Sequence, residues 1–228
     1  MEKFRIVIAT RDSQAQFDRE SPTARSLDLF PFPFIERRVF ADNRESLSRL
    51  YNRVIEESRD DPAILVFMHD DLHLLDYYWT DKVAGYLKSF DIVGIAGNRR
   101  RLPRQPAWCF VDDKFSWDQH PNLSGIVGHG KGFPPENMSV YGSPGVEVKL
   151  LDGLFIAVRS STLHERGLRF DERFAFHFYD LDFCREAETR GLRMGTCPVS
   201  LVHQSGGDGY GSPAWWSAYQ AYLAKWQS

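Results

Sequence analysis

The chain has 228 residues, 43% of them hydrophobic, and a formal net charge of -3. That length supports one sizeable core, and the near-neutral balance excludes a polyanion-binding surface, so no nucleic-acid partner is expected. No apolar run reaches the ~20 residues of a membrane span. Cys109, Cys184 and Cys197 lack metal-ligand spacing and suit free thiols in a reducing compartment, so the expectation is a soluble cytoplasmic protein without a transmembrane segment.

FRIVIAT (4–10) is apolar and β-branched and predicts a buried first strand. Residues 11–33, polar and then proline-rich in FPFPF, read as loop. FIERRVF (34–40) predicts a second strand. Leu47, Leu50, Tyr51, Val54 and Ile55 then recur at helical spacing, with Pro62 just past the end. AILVFMHDD is a third strand, HLLDYYWTDKVAGYLKSF a second amphipathic helix, and DIVGIAGN a fourth strand. Residues 98–148, rich in Gly, Pro and aromatics, predict loops with one or two short strands. VKLLDGLFIAVRS predicts a strong strand, and a helix from near Asp180 to Gly191 follows. MGTCPVSLVH is a last strand, QSGGDGYGSP a flexible link, and AWWSAYQAYLAKW a terminal helix. Alternating strands and helices predict an α/β fold, a mostly parallel central sheet flanked by helices.

In such sheets ligands collect outside the carboxyl ends of strands. The third strand ends there on His69, Asp70 and Asp71. Adjacent carboxylates repel unless a cation or proton shares the site, and aspartate oxygens suit Mg²⁺ or Mn²⁺. The plainer alternative is one Asp capping the next helix and the other solvated. In FDERFAFHFYDLDFC, Asp180 and Asp182 open a helix. They either favour its N-terminus or supply a carboxylate base to the cleft. His203 ends a strand and either packs or completes a metal shell.

Other features have two readings each. Arg99, Arg100, Arg101 and Arg104 form a solvated loop or grip a phosphate. The glycine-rich stretches 125–132 and 205–211 are surface loops or lids. Trp215, Trp216, Tyr219, Tyr222 and Trp226 form a stripe that packs on the domain, or serves a homo-oligomer contact or a membrane surface. His177 lies near the candidate base, as a packed residue or an assistant to it. Cys184 reads as a small core residue.

The ordered set IVIAT, LSRLYNRVIEES, a strand ending in HDD, LLDGLFIAVRSS, FDERFAFHFYDLDFC and LVHQSGG resembles a family-2-type glycosyltransferase of the GT-A (nucleotide-diphospho-sugar transferase) fold. It is similar in particular to the small group described as resembling a streptomycin-biosynthesis domain. The resemblance covers roughly residues 4–206. It implies that HDD stands in the place of a DxD motif, with Asp71 the metal-binding aspartate, Asp70 the middle position, and His69 where an acidic residue is usual. Asp180 matches the general base, Tyr179 stands where a glutamate is common, and Asp182 matches a more structural aspartate. His203 matches the histidine that completes the metal site, and Asp152 and Gly153 the turn against the donor. Thr10, Asn43 and Asn52 fall near nucleotide-contacting positions.

The resemblance further implies a divalent metal, Mn²⁺ or Mg²⁺, and a nucleotide-sugar donor, UDP-linked by default. The acceptor is a glycan, a lipid-linked molecule or a small molecule, and transfer proceeds with inversion. One glycosyltransferase-like domain is expected over 1–228. It comprises a nucleotide-binding half (1–97), an irregular insert (98–148), an acceptor and catalytic half (149–206) and a C-terminal helix (213–228). Three alternatives stand beside it. One is a non-catalytic sugar-nucleotide or glycan-binding domain, prompted by Tyr179. A second is a metal-dependent phosphohydrolase, prompted by the His69-Asp70 pair. The third is a nucleotidyltransferase, which would want a Lys-containing phosphate loop after the first strand that this sequence lacks.

Overall fold

The computed structural model describes residues 2–204 and 209–227. Strand β1 (Phe4–Ala9) lies inside a seven-stranded sheet, which is why its sequence, Arg5 apart, is apolar on both faces rather than alternating. Two short helices follow, α1 (Gln14–Glu20) and α2 (Pro22–Leu27), in the stretch expected to be loop. Each has a serine cap: Ser13 accepts the Gln16 N–H and Ser21 the Ala24 N–H. Their shortness and the nearby prolines hide any helical period, but Ser21-Pro22 is the cap-then-proline signature of a helix start.

Strand β2 (Ile35–Phe40) pairs with β1 at the sheet edge and carries Arg37 and Arg38, charges that suit an edge. Helix α3 (Leu47–Glu57) buries Leu50, Tyr51, Val54 and Ile55 and is capped by Ser46. Strand β3 (Ile64–Met68) is buried throughout and stops before His69. The chain then forms β4 (Leu72–Leu74) before α4 (Trp79–Tyr86), so the amphipathic helix begins later than the sequence pattern suggests. Trp79 is fully buried, edge-on to Phe4 at 5.3 Å.

The expected fourth strand is two strands in two sheets, β5 (Ile92–Gly94) and β6 (Gly97–Asn98). The backbone is crowded at this break: a Cβ on Gly97 would lie 2.3 Å from the Leu150 carbonyl oxygen of the strand paired with it. The insert holds an antiparallel pair, β7 (Leu123–His129) and β8 (Asn137–Gly142). The glycine-rich 125–132 stretch is thus largely a paired strand and not a lid. The long strand expected over 148–160 is divided into β9 (Glu147–Val148), β10 (Leu150–Leu151) and β11 (Phe155–Arg159), broken by the Asp152-Gly153 turn.

Helices α5 (Ser160–Glu165) and α6 (Tyr179–Thr189) follow. The expected last strand is again two, β12 (Met194–Thr196) and β13 (Leu201–His203), separated at Pro198, which has no N–H for a ladder. Helix α7 (Pro213–Trp226) closes the described chain. No helix among the described residues is long and apolar enough to cross a membrane.

The larger sheet has the order β2-β1-β3-β11-β5-β12-β9. Its β2-β1-β3 part is parallel, while β11 runs antiparallel to both β3 and β5. The second sheet, β10-β6-β7-β13-β4 with β8 beside β7, brings the end of β13 to the start of β4. The carboxyl ends of β3 and β13 therefore meet, with the turn before β11 and the start of α6 facing them.

Candidate active site

A cleft of about 570 Å³ opens there, lined among others by His69, Asp71, Asp152, Asp180 and His203. Strand β3 delivers the first two. The His69 N–H donates to the Leu154 carbonyl at 3.1 Å. The rest of the turn is held from below by α2, whose Ser21 hydroxyl donates to the Asp70 carbonyl at 2.6 Å. Thr23 Oγ1 lies 2.9 Å from the His69 carbonyl and accepts the Leu72 N–H at 2.9 Å. Ser21 and Thr23 were not legible as site residues, because a hydroxyl reaching a distant carbonyl leaves no period in the sequence.

Strand β13 brings His203 opposite Leu72, and the Gln204 N–H donates to the Asp71 carbonyl at 2.9 Å. His203 Nε2 consequently lies 3.3 Å from Asp71 Oδ2, and His69 Nδ1 3.9 Å from Asp71 Oδ1. Candidate ligand atoms of His69, Asp71 and His203 all lie within 4.8 Å of one another. Burial pulls His203 down, but the hydrogen bond and charge of Asp71 outweigh it and its pKa is raised. Burial lowers His69. The set of two imidazoles and a carboxylate fits a divalent ion that accepts nitrogen, such as Mn²⁺, better than Mg²⁺, which prefers oxygen.

Asp180 sits in the first turn of α6, with the Gly153 N–H donating to its Oδ2 at 3.1 Å. Burial, then the charge of Asp152, push its pKa up to about 7. Asp152 accepts the Leu154 N–H at 3.1 Å, which shapes the turn. Gly153 is required: a Cβ would lie 2.3 Å from Tyr179 Oη. Just before α6, Phe178 adopts a left-handed φ of 65°. Its ring stacks on Tyr219 of α7 at 5.5 Å, with Trp215 and Tyr222 packed around it. Trp215, Tyr219 and Tyr222 of the α7 stripe thus pack on the domain, as its sequence reading proposed first, while Trp216 is exposed.

Asp182 is fully buried and accepts from Lys225 Nζ at 2.9 Å and Trp226 Nε1 at 2.8 Å. It faces α7 rather than the cleft. Cys184 is buried and accepts the Leu151 N–H. His177 lines the cleft. Burial raises Asp70, which the Thr10 hydroxyl opposes by a hydrogen bond.

Four sequence expectations find other roles. Thr10 reaches Asp70 and does not itself line the cleft. Asn43 closes a local turn with Glu45, and Asn52 clamps the Phe170 backbone through both ends of its amide. The arginine run is tied to the protein: Arg99 to the Pro121 carbonyl, Arg100 to Asp118 and Arg101 to Glu188, while Arg104 offers its carbonyl to Tyr219. None of these arginines lines the cleft. Of the 205–211 stretch, 205–208 lie outside the described residues, while Gly209 and Tyr210 line the cleft. Trp117 and Phe176 line the cleft too and, like Tyr210, are exposed aromatic residues that the sequence did not single out.

The profile of one protein family, described as "Glycosyltransferase like family", matches residues 35–207. A search of curated proteins finds no match. Among solved structures, the chain is similar to GalNAc-T7 with UDP, GalNAc and Mn²⁺, at TM-score 0.55 and 12% identity over 98% of this chain and 48% of that one. It is also similar to the catalytic domain of Drosophila beta1,4galactosyltransferase 7 in complex with xylobiose, at TM-score 0.47 and 13% identity over 86% and 65% of the two chains. S. aureus TarS in complex with UDP matches at TM-score 0.49 and 13% identity over 98% and 64%. The chain spans less than two thirds of the length of each. The match is at the level of the family and does not separate the streptomycin-biosynthesis-domain-like group within it. With a profile that covers most of the sequence and the sheet arrangement described above, the chain belongs to the glycosyltransferase-like family and has its GT-A fold.

Proposed function

We propose that the protein is a metal-dependent glycosyltransferase that moves a sugar from a nucleoside-diphosphate donor, by default a UDP-sugar, to an acceptor hydroxyl with inversion. The observation that carries this is one cleft shared by the His69, Asp71 and His203 group and by a half-buried carboxyl, Asp180, whose pKa is pushed up to about 7. A base matched to neutral pH is suited to taking a proton from a hydroxyl.

A divalent ion bound there supplies charge neutralisation for the departing diphosphate. His69, Asp71 and His203 would hold it. The acceptor oxygen forms its bond to the anomeric carbon as the bond from that carbon to the diphosphate oxygen breaks, and Asp180 takes the hydroxyl proton. A single displacement from the opposite face inverts the centre. The Asp152-Gly153 turn lies against the donor, and residues 1–97 and 149–206 supply the donor and catalytic halves. The exposed rings of Trp117, Phe176 and Tyr210 in the cleft lining suit the apolar face of a sugar ring and favour a glycan acceptor. GalNAc-T7, which shares the fold, was solved with UDP, GalNAc and Mn²⁺, and these are the first ligands to try. Three buried free cysteines suit a reducing compartment.

The test is calorimetric titration with UDP, GDP and the matching sugar nucleotides, with Mn²⁺ or with chelator, for wild type, Asp71→Ala and His203→Ala. Metal-dependent binding of one nucleotide, lost in Asp71→Ala, is expected. Absence of nucleotide binding under either condition would overturn the proposal. Binding without transfer or donor hydrolysis would favour a non-catalytic sugar-nucleotide-binding role.

A further inference from the structure

We infer that Tyr179 is a positioning residue that fixes His69 in its Nε2–H tautomer and so presents His69 Nδ1 as the third ligand of a cation held with Asp71 and His203. This rests on the metal site proposed above. His69 and Tyr179 are the two positions where this chain lacks an acidic residue usual in the family it resembles. Although 110 residues apart in sequence, they touch: Tyr179 Oη lies 3.4 Å from His69 Nε2.

The direction of that contact follows from proton counting. A phenol has one proton, and Tyr179 donates it to the Gly153 carbonyl at 2.8 Å. Towards His69 its oxygen can only accept, so Nε2 carries the ring proton and Nδ1 the lone pair. Nδ1 faces Asp71 Oδ1 at 3.9 Å. That is too long for a hydrogen bond, but atoms each bound ~2.1 Å from one ion sit about 3 to 4 Å apart. The Tyr179 ring and the His69 backbone are both held in place. Tyr179 is buried, with its ring packed on Tyr51 at 5.9 Å and Phe170 at 6.1 Å. The backbone of His69 is held on one side by Leu154 and on the other by Thr23. Metal-bound histidines ordinarily donate their second N–H to a fixed oxygen, and losing that partner costs roughly 10- to 100-fold in metal affinity. His69 and Tyr179 therefore act as one unit, a ligand and its support.

Nitrogen-15 NMR of the metal-free wild type reads the tautomer directly, and a proton on His69 Nε2 is expected. Titration with Mn²⁺, followed by the paramagnetic resonance of the free ion, is expected to show Tyr179→Phe binding about tenfold more weakly. His69→Ala is expected to bind more weakly too, and Tyr179→Phe to add little to it in the double variant. A proton on Nδ1, or equal Mn²⁺ affinity in wild type and Tyr179→Phe, would overturn this inference alone. A wild type that takes up no Mn²⁺ would overturn the metal site and this inference together. Should Tyr179→Phe fail to fold, the wild-type tautomer still decides.

Discussion

Asp180 is a side chain that is normally ionised at neutral pH, placed where water is scarce. Its raised pKa sets both its reactivity and its cost. As the proposed base it must be ionised, so transfer is expected to rise through about pH 7 and level off above it. Asp180→Asn is expected to lower kcat at least ~100-fold with donor binding retained, as steady-state rates and calorimetry would show. The stability effect has the opposite sense. Between the unfolded value of 3.8 and the folded value of about 7, the folded protein keeps a proton that the unfolded chain has released. Stability therefore falls as pH rises across that window, and the full penalty, on the order of 4 kcal/mol, stands above it. Asp180→Asn escapes this penalty while its side-chain oxygen can still accept the Gly153 N–H. Thermal melts of metal-free protein are expected to show the variant more stable than wild type at pH 8 and without advantage near pH 4.

At the scale of elements, α6 is fixed from two sides. Its first turn faces the cleft, and its buried Asp182 is met by Lys225 and Trp226 of α7. Burial raises the Asp182 pKa and the Lys225 ammonium opposes this. Lys225 also pairs with Asp171 at 2.9 Å and Glu186 at 2.8 Å, so one ammonium serves three carboxylates. Lys225→Met keeps the bulk of the stem and removes the charge, leaving Asp182 buried with a lone indole donor. A loss of about 3–5 kcal/mol is expected from urea unfolding. Asp182 was legible as structural from its place at a helix start and through the resemblance. Its partners were not, since the terminal helix lies beyond the residues that carry that resemblance. Periodicity reports that a face is buried, not what buries it.

For the whole molecule, the same distinction separates what the sequence discloses from what it conceals. The ends of β3 and β13 and the start of α6 could be marked as site positions, because apolar runs stop abruptly on His69-Asp70-Asp71, on His203 and before Asp180. That they converge follows from the second sheet, which the sequence did not reveal, since β5/β6 and β12/β13 each read as one strand. Their breaks fall at a close approach near Gly97 and at Pro198, and only the proline is a local signal. The serine and threonine contacts of α2 and the His69–Tyr179 contact join residues far apart in sequence, beyond the reach of any local pattern. A cation shared by β3 and β13 would tie the two sheets together. Mn²⁺ at ~100 times its dissociation constant is expected to stabilise the fold by about 2.7 kcal/mol, and chelator to remove that gain, in melts of wild type but not of Asp71→Ala.

Phe178 gives this architecture a temporal side. A left-handed backbone at a bulky residue costs on the order of 1–3 kcal/mol and persists only while its surroundings insist on it. Here the insistence comes from Trp215, Tyr219 and Tyr222, all on α7, and the next residues along are Tyr179 and Asp180. Every ring that holds Phe178 in this way is made after the residue it holds. During synthesis, when N-terminal segments fold first, the sheets can form around a Phe178 turn that has not yet been locked. On a growing chain the turn that leads into Asp180, the proposed base, is therefore settled only once α7 has emerged and docked.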